Sequence, residues 1–271
     1  MDATERMDRG RTSRSKLILA FLCFLKLGER PRISRARTGH DASAMCVSGV
    51  YDEVMFEEHS SGAVQIDLET WERRALFHLF SEFSEPFHGV CLRVDCTESF
   101  RFAKHSRISV FLTLVHRALT AVHQVENFMT RIVDGAVWRY ATINGGSAVG
   151  RPNGTIGFGH YPYQPNLLPF VREASVELER VKGRNDLERY AGQDLVRFSV
   201  LPWLDFTSIS HARNFSAQNS APLITFGKIT EVGDRFTMPV SIHVHHALAD
   251  GLHVAQFVAE FERYLAAPEM V

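Results

Sequence analysis

Cysteine is scarce in this chain, with four in 271 residues, Cys23, Cys46, Cys91 and Cys96, and none in a C-x-x-C pair. Cys91 and Cys96 would fall on opposite faces of an extended strand, so neither a disulfide framework nor a zinc ribbon is indicated. Reduced thiols suit a cytoplasmic location. An excess of one charge is also missing. The formal net charge of -1 gives no global pull towards nucleic acid. The apolar run from Leu17 to Leu27 is too short to span a bilayer. What is present is 45% hydrophobic residues, enough in a chain of this length to bury one sizeable core.

The charge that exists is unevenly spread. Arg6, Arg9, Arg11, Arg14, Lys16, Lys26, Arg30, Arg32, Arg35 and Arg37 crowd the first forty residues against few acids. A basic stretch followed by an apolar run superficially suggests a secretion signal. No small-residue cleavage site follows, however, and the Arg-rich continuation argues against export. Residues 1–60 therefore read as a basic extension, disordered or non-native, with Met45 and Met55 as later possible starts, and residues 61–271 as one domain. No internal repeat or linker divides the stretch from Val64 to Pro268.

Strand and helix patterns alternate along that domain. Helical spacing covers Leu68 to Phe80, Val110 to Val122 and Leu167 to Lys182, while strands are expected at Phe87 to Val94, Leu195 to Val200, Leu223 to Ile229 and Phe236 to His245. Turns are expected at Asn144-Gly145-Gly146 and Pro152-Asn153-Gly154, and a hairpin at Gly233-Asp234. Long separations between strands, filled by helices, give an α/β fold with a mixed sheet covered by helices.

The most informative segment is His245-His246-Ala247-Leu248-Ala249-Asp250-Gly251. Val240, Ile242 and Val244 alternate against Ser241, His243 and His245, so a strand delivers the paired histidines to its end. Beyond Gly251 the period becomes helical, and Asp250 can cap the free N–H groups of the first turn. An imidazole at such a junction is partly desolvated, and the neutral ring is the form that takes a proton. His243, His245, His246 and His253 invite a metal site, because His-x-His places two rings on one face. His246 points the other way, and no cysteine pair or helical His-Glu motif completes the set.

This pattern resembles the H-H-x-x-x-D-G signature of the chloramphenicol acetyltransferase family. Phe198-Ser199-Val200-Leu201-Pro202-Trp203 is similar to that family's S-x-x-P-W segment, and Ala221 to Lys228 to its A-P-x-x-T-x-x-K strand. Ile66 to Arg74 and Val94-Asp95-Cys96-Thr97 resemble its opening W-x-R helix and the segment after the next strand, so the likeness runs from about Val64 to Pro268.

The resemblance implies a two-layer sandwich, with acetyl-CoA as co-substrate, no metal, and a small-molecule alcohol as acceptor. It implies His246 as general base, Ser199 as oxyanion donor, Thr225 in a weaker role through water, and Asp250 paired with Arg73 to hold the histidine loop. Phe80 and His88 match acceptor-pocket positions. A homotrimer with active sites between neighbouring chains is implied too, and neither nucleic acid nor membrane is expected as a partner.

Departures from the family fall around the acceptor. His88 stands where a phenylalanine is usual, Tyr161-Pro162-Tyr163-Gln164 replaces a T-E-T-F-S segment, and Met129 replaces an arginine. Phe206 to His211 keeps F-x-S but loses the aromatic and leucine that normally follow. The chemistry is thus a firmer expectation than chloramphenicol itself. The acyltransferase core of a 2-oxoacid dehydrogenase complex and a peptide-condensing domain share a similar histidine motif. The former would bring a lipoyl domain upstream and the latter a much longer chain. A non-catalytic relative is the remaining alternative, and intact His246 and Ser199 speak against it.

Overall fold

The alternation read between Phe236 and His245 forms the longest strand of a mixed sheet. A computed structural model of the protein describes residues 62–213 and 219–267. The basic extension at residues 1–60, with its possible later starts, lies outside them.

In chain order the elements are β1 (Val64–Gln65), α1 (Arg74–Ser81), β2 (Phe87–Asp95), α2 (Thr97–His105), α3 (Val110–Val122), a 3-10 turn (Glu126–Met129), β3 (Thr130–Val133), β4 (Ala136–Arg139), β5 (Asn144–Gly150), β6 (Ile156–Tyr161), α4 (Leu167–Lys182), β7 (Leu195–Val200), β8 (Leu223–Phe226), β9 (Thr230–Val232), β10 (Arg235–His245) and α5 (Gly251–Ala266). The main sheet runs β2-β10-β8-β7-β5-β6, with β9 also on β10, and β1-β4-β3 form a small second sheet. Pairings are antiparallel except β5/β7 and β7/β8, which are parallel.

One face of the main sheet is the core. Val240, Ile242 and Val244 of β10, Ile224 and Phe226 of β8, and Val196 and Phe198 of β7 pack there against Leu119 and Val122 of α3, Phe170 of α4 and Phe257 and Phe261 of α5. Period two in the strands and period 3.6 in the helices bring these apolar positions together. Ser109 begins α3 by accepting a hydrogen bond from the Leu112 N–H at 3.3 Å. Pro239 falls between the β9 pairings of β10, which end at Thr237, and its β8 pairings, which begin at Val240, where a missing N–H disturbs the ladder least.

Three expectations are corrected. The helix foreseen over Leu68 to Phe80 starts only at Arg74, because the Asp67 carboxylate accepts from Glu69 N at 3.0 Å and from Thr70 Oγ1 at 3.1 Å and holds the chain in turns. Asn144-Gly145-Gly146 begins strand β5 instead of a turn. A Cβ on Gly145 would lie 3.2 Å from Leu119 Cδ1, so glycine serves there to let helix α3 approach the sheet. The strand expected to Ile229 ends at Phe226, since Lys228 N donates to Leu204 O at 2.8 Å and draws the chain away from the ladder. Helix α2, absent from the sequence reading, follows a turn in which Asp95 Oδ1 accepts from Thr97 N at 2.9 Å and from Thr97 Oγ1 at 2.6 Å. Among the described residues no helix is long and apolar enough to cross a membrane.

Burial couples this fold to pH. Desolvation lowers His116, His243 and His245 from 6.5 to about 4 each. In that window the unfolded chain binds protons that the folded protein refuses, so stability is complete above about pH 6.5 and declines as pH falls towards 4. Denaturant unfolding followed from about pH 7.5 to about pH 5 is expected to show this decline, and His116→Gln to reduce its slope by about one proton. A flat profile across the window would contradict it.

Candidate active site

Strand β10 ends at His245, and the next turn is closed by its own backbone. Leu248 N and Ala249 N donate to His245 O at 2.9 and 3.0 Å, Ala247 N donates to His245 Nδ1 at 3.3 Å, and His246 N donates to Pro86 O at 2.7 Å. His245 is thereby occupied in shaping the turn. Asp250 then starts α5, its Oδ1 accepting from Leu252 N at 3.0 Å while its own N–H donates to His253 Nδ1 at 3.2 Å.

Arg73 clamps this turn from the chain just before α1. One terminal nitrogen donates to Asp250 Oδ2 at 2.7 Å and the other to the His246 carbonyl at 3.1 Å. Partial burial would raise the Asp250 pKa. The Arg73 hydrogen bond, the charges of His253 and Arg73 and the Leu252 N–H outweigh it and bring the carboxyl down to about 2. Asp250 is thus ionised throughout the physiological range, as a structural anion.

The His246 ring stacks on Phe80 with centroids 3.9 Å apart and planes within 5°, and its other near neighbour is His88 at 4.4 Å, tilted 45°. Its Nδ1 is buried without a hydrogen-bond partner among the described residues. His88 Nε2 lies 3.4 Å from Ala249 O, and desolvation, then the nearby His246, lower its pKa and favour the neutral ring.

The second group of expected residues lies on the sheet face opposite the helices. Ser199 pairs with Thr225 across β7/β8, Thr225 with Ser241 across β8/β10, and Ser241 with Cys91 across β10/β2, so four small polar side chains form one row. Thr225 Oγ1 is 3.0 Å from His211 Nε2. His211 in turn meets His243 edge to face at 5.2 Å, and the His243 ring lies so close over Gly89 that a Cβ there would approach it to 2.6 Å. His211 was not foreseen as a site residue and His243 only as a rejected metal ligand, since no local pattern links a loop histidine to a threonine 14 residues further on. Among the described residues no cluster of three or more His, Cys, Asp or Glu is arranged to hold a metal ion.

These two groups do not meet within one chain. Ser241 precedes His246 by five residues along β10, and Ser199 lies two strands across from Ser241. At about 3.3 Å per residue and about 4.8 Å per strand, the Ser199 and His246 backbones are about 19 Å apart. Arg73, Phe80, His88, His246 and Asp250 are gathered at one end of β10, and Ser199 and Thr225 at a separate place on the face opposite the helices.

A helix-backed mixed sheet with a strand-end histidine loop held by an arginine–aspartate clamp is the framework of an acyltransferase. A family model described as chloramphenicol acetyltransferase matches residues 63–262, and the chain belongs to that family. Chloramphenicol acetyltransferase of Streptomyces acrimycini is 29% identical over 209 residues, 75% of this chain and 94% of that protein. The Proteus mirabilis enzyme is 26% identical over 219 residues, again 75% and 94%. Among solved structures, a chloramphenicol acetyltransferase superposes with a TM-score of 0.69 at 29% identity, covering 75% of this chain and 99% of the other. Azotobacter vinelandii dihydrolipoamide acetyltransferase, at 20% identity and a TM-score of 0.54 over 72% and 86% of the chains, shares the fold.

Because Arg73 spans two acceptors, a lysine, with a single point charge, cannot replace it. Arg73→Lys is expected to cost about 1–3 kcal/mol in denaturant unfolding, the worth of a hydrogen bond to a charged group. Equal stability of the variant and the parent would show that the clamp does not hold the turn.

Proposed function

We propose that the protein transfers the acetyl group of acetyl-CoA to the hydroxyl of chloramphenicol or a related hydroxylated small molecule. The observation that supports this most directly is the His246 ring, stacked on Phe80 and in contact with His88, with its loop fixed by Arg73 and Asp250. In this reading His246 Nε2 removes the proton from the acceptor hydroxyl as its oxygen attacks the thioester carbonyl. The carbon–oxygen bond forms, and Ser199 donates a hydrogen bond to the tetrahedral oxyanion. The carbon–sulfur bond then breaks, and the proton held by His246 passes to the departing sulfur to give free CoA thiol. A positioned base contributes roughly 10²–10⁴-fold and one oxyanion donor about 10²–10³-fold. Thr225 supports the oxyanion through water, and Phe80 and His88 flank the acceptor.

The separation of about 19 Å between Ser199 and His246 within one chain supports a site shared by two copies, with His246 of one chain facing Ser199 of its neighbour. A homotrimer with three such junctions, each chain contributing residues 61–271 as one acetyltransferase domain and residues 1–60 as an extension, accords with this. So does a cytoplasmic location, where acetyl-CoA is supplied.

Thiol release from acetyl-CoA tests the reading. Release is expected to require the acceptor, to fall about 10²–10⁴-fold in His246→Ala and to fall about 10²–10³-fold in Ser199→Ala. Thiol release without any acceptor, or undiminished in His246→Ala, would refute the mechanism.

Mixing distinguishes a shared site from a private one. When the two variants are unfolded together and refolded, about one site in four would combine an intact histidine with an intact serine, and activity is expected to rise to about a quarter of the parent's. A mixture no more active than its components would place both groups in one chain.

A further inference from the structure

On strand β7, Arg197 precedes Ser199 by two residues and so shares its face, about 7 Å away along the strand. Arg197 opens into a cavity of ≈ 760 Å³ that reaches back to His245 at the end of β10. Three guanidinium groups line it, Arg189, Arg197 and Arg213, against one carboxylate, Glu85, a balance of 3 − 1 = +2 before any histidine is counted.

These arginines are poorly compensated. Arg213 Nε stands 3.9 Å from Glu85, beyond hydrogen-bonding distance, and one terminal nitrogen of Arg213 is buried with no partner among the described residues. The Arg213 guanidinium lies over the Phe87 ring at 3.7 Å, which fixes its plane. Arg189 is likewise set against an aromatic ring, Phe158, at 5.0 Å. Among the described residues neither Arg189 nor Arg197 is ion-paired with a carboxylate, and the segment between Arg213 and Asn219 contains no acid. Arg189 and Arg197 are exposed at the cavity and Arg213 is half-buried in it. Desolvation, then the charge of Arg189, lowers the Arg197 pKa.

Three gathered guanidinium groups with one carboxylate among them are costly to hold together, and an oxyanion relieves that cost through charge-assisted, often bidentate hydrogen bonds. We propose that this cavity receives a carboxylate or phosphate carried by the acyl acceptor, with Arg197 as its main partner and the acceptor hydroxyl reaching towards Ser199. The inference rests on the acyl-transfer reading above and adds to it the acceptor's charge. A hydroxylated anion of the right length spans the distance from Arg197 to Ser199. A neutral acceptor leaves the arginines unanswered.

Matched alcohols test it with the full-length protein and acetyl-CoA. Hydroxymethylbenzoate is compared with its methyl ester, glycerophosphate with glycerol, and chloramphenicol is run in parallel. At least one anion is expected to exceed its neutral counterpart by about tenfold or more in kcat/KM, through KM more than kcat, and the pair that responds tells carboxylate from phosphate. Arg197→Gln is expected to shrink that ratio about tenfold.

Binding without turnover gives a second readout. Benzoate or inorganic phosphate should raise the Tm of the parent, less so at high salt, and less in Arg197→Gln and in the exposed Arg189→Gln. Equal turnover of acid and ester, with no anion effect on Tm, would overturn the inference while chloramphenicol acetylation stood. The same follows if Arg197→Gln instead dissociates the oligomer, because a neighbour's carboxylate would then be the occupant. Absence of thiol release with every alcohol, chloramphenicol included, removes the acyl-transfer reading and this acceptor with it.

Discussion

The register of β10 is the constraint on which the molecule turns. It pairs antiparallel with β2 along one edge and with β8 and β9 along the other. A slip of one residue would drive His243, Ser241 and His245 into the helix-covered core and expose Val240, Ile242 and Val244. The hydrophobic side therefore enforces the polar side, and the burial of Ile242 and Val244 against α3 and α5 is what presents the histidines. Gly89, on the neighbouring strand, is part of the same constraint, because its missing side chain makes room for the His243 ring.

The second organising contact is the Arg73 clamp. One guanidinium holds the Asp250 carboxylate and the His246 carbonyl together, so the start of α5, the end of β10 and the approach to α1 move as one unit. Asp250 serves the helix cap and the ion pair at once, through different oxygens. The arrangement explains why the loop can leave the His246 ring without a hydrogen bond to its Nδ1. Orientation comes from stacking on Phe80 and from a backbone fixed on both sides.

Much of this was legible before any coordinates. The change from period two to helical spacing at the H-H-x-x-x-D-G segment located the end of β10 and the start of α5, and the apolar face of Val110–Val122 located α3. Local rules failed where a residue answers to a distant partner. Gly145 reads as a turn residue and is a strand residue making way for Leu119. Asp67 reads as helical sequence and instead holds a turn through Glu69 and Thr70. The same limit applies to the site. His246, Asp250 and Arg73 stood in recognisable segments, whereas the His211–Thr225 contact and the cluster of Arg189, Arg197 and Arg213 arise only when separate loops and strands converge.

A sheet with one apolar face and one polar face separates the cost of folding from the cost of change. Ile224, Phe198 and Ile242 bear the core packing, while of their neighbours in sequence Arg197 is exposed, His243 is half-buried and Thr225, though buried, lies on the opposite face with its hydroxyl on His211. Substitutions at exposed positions of the polar face, such as Arg197, escape the penalty for voids that governs the dry side, so a lineage built on this scaffold can explore new small molecules there while its melting point barely registers the search.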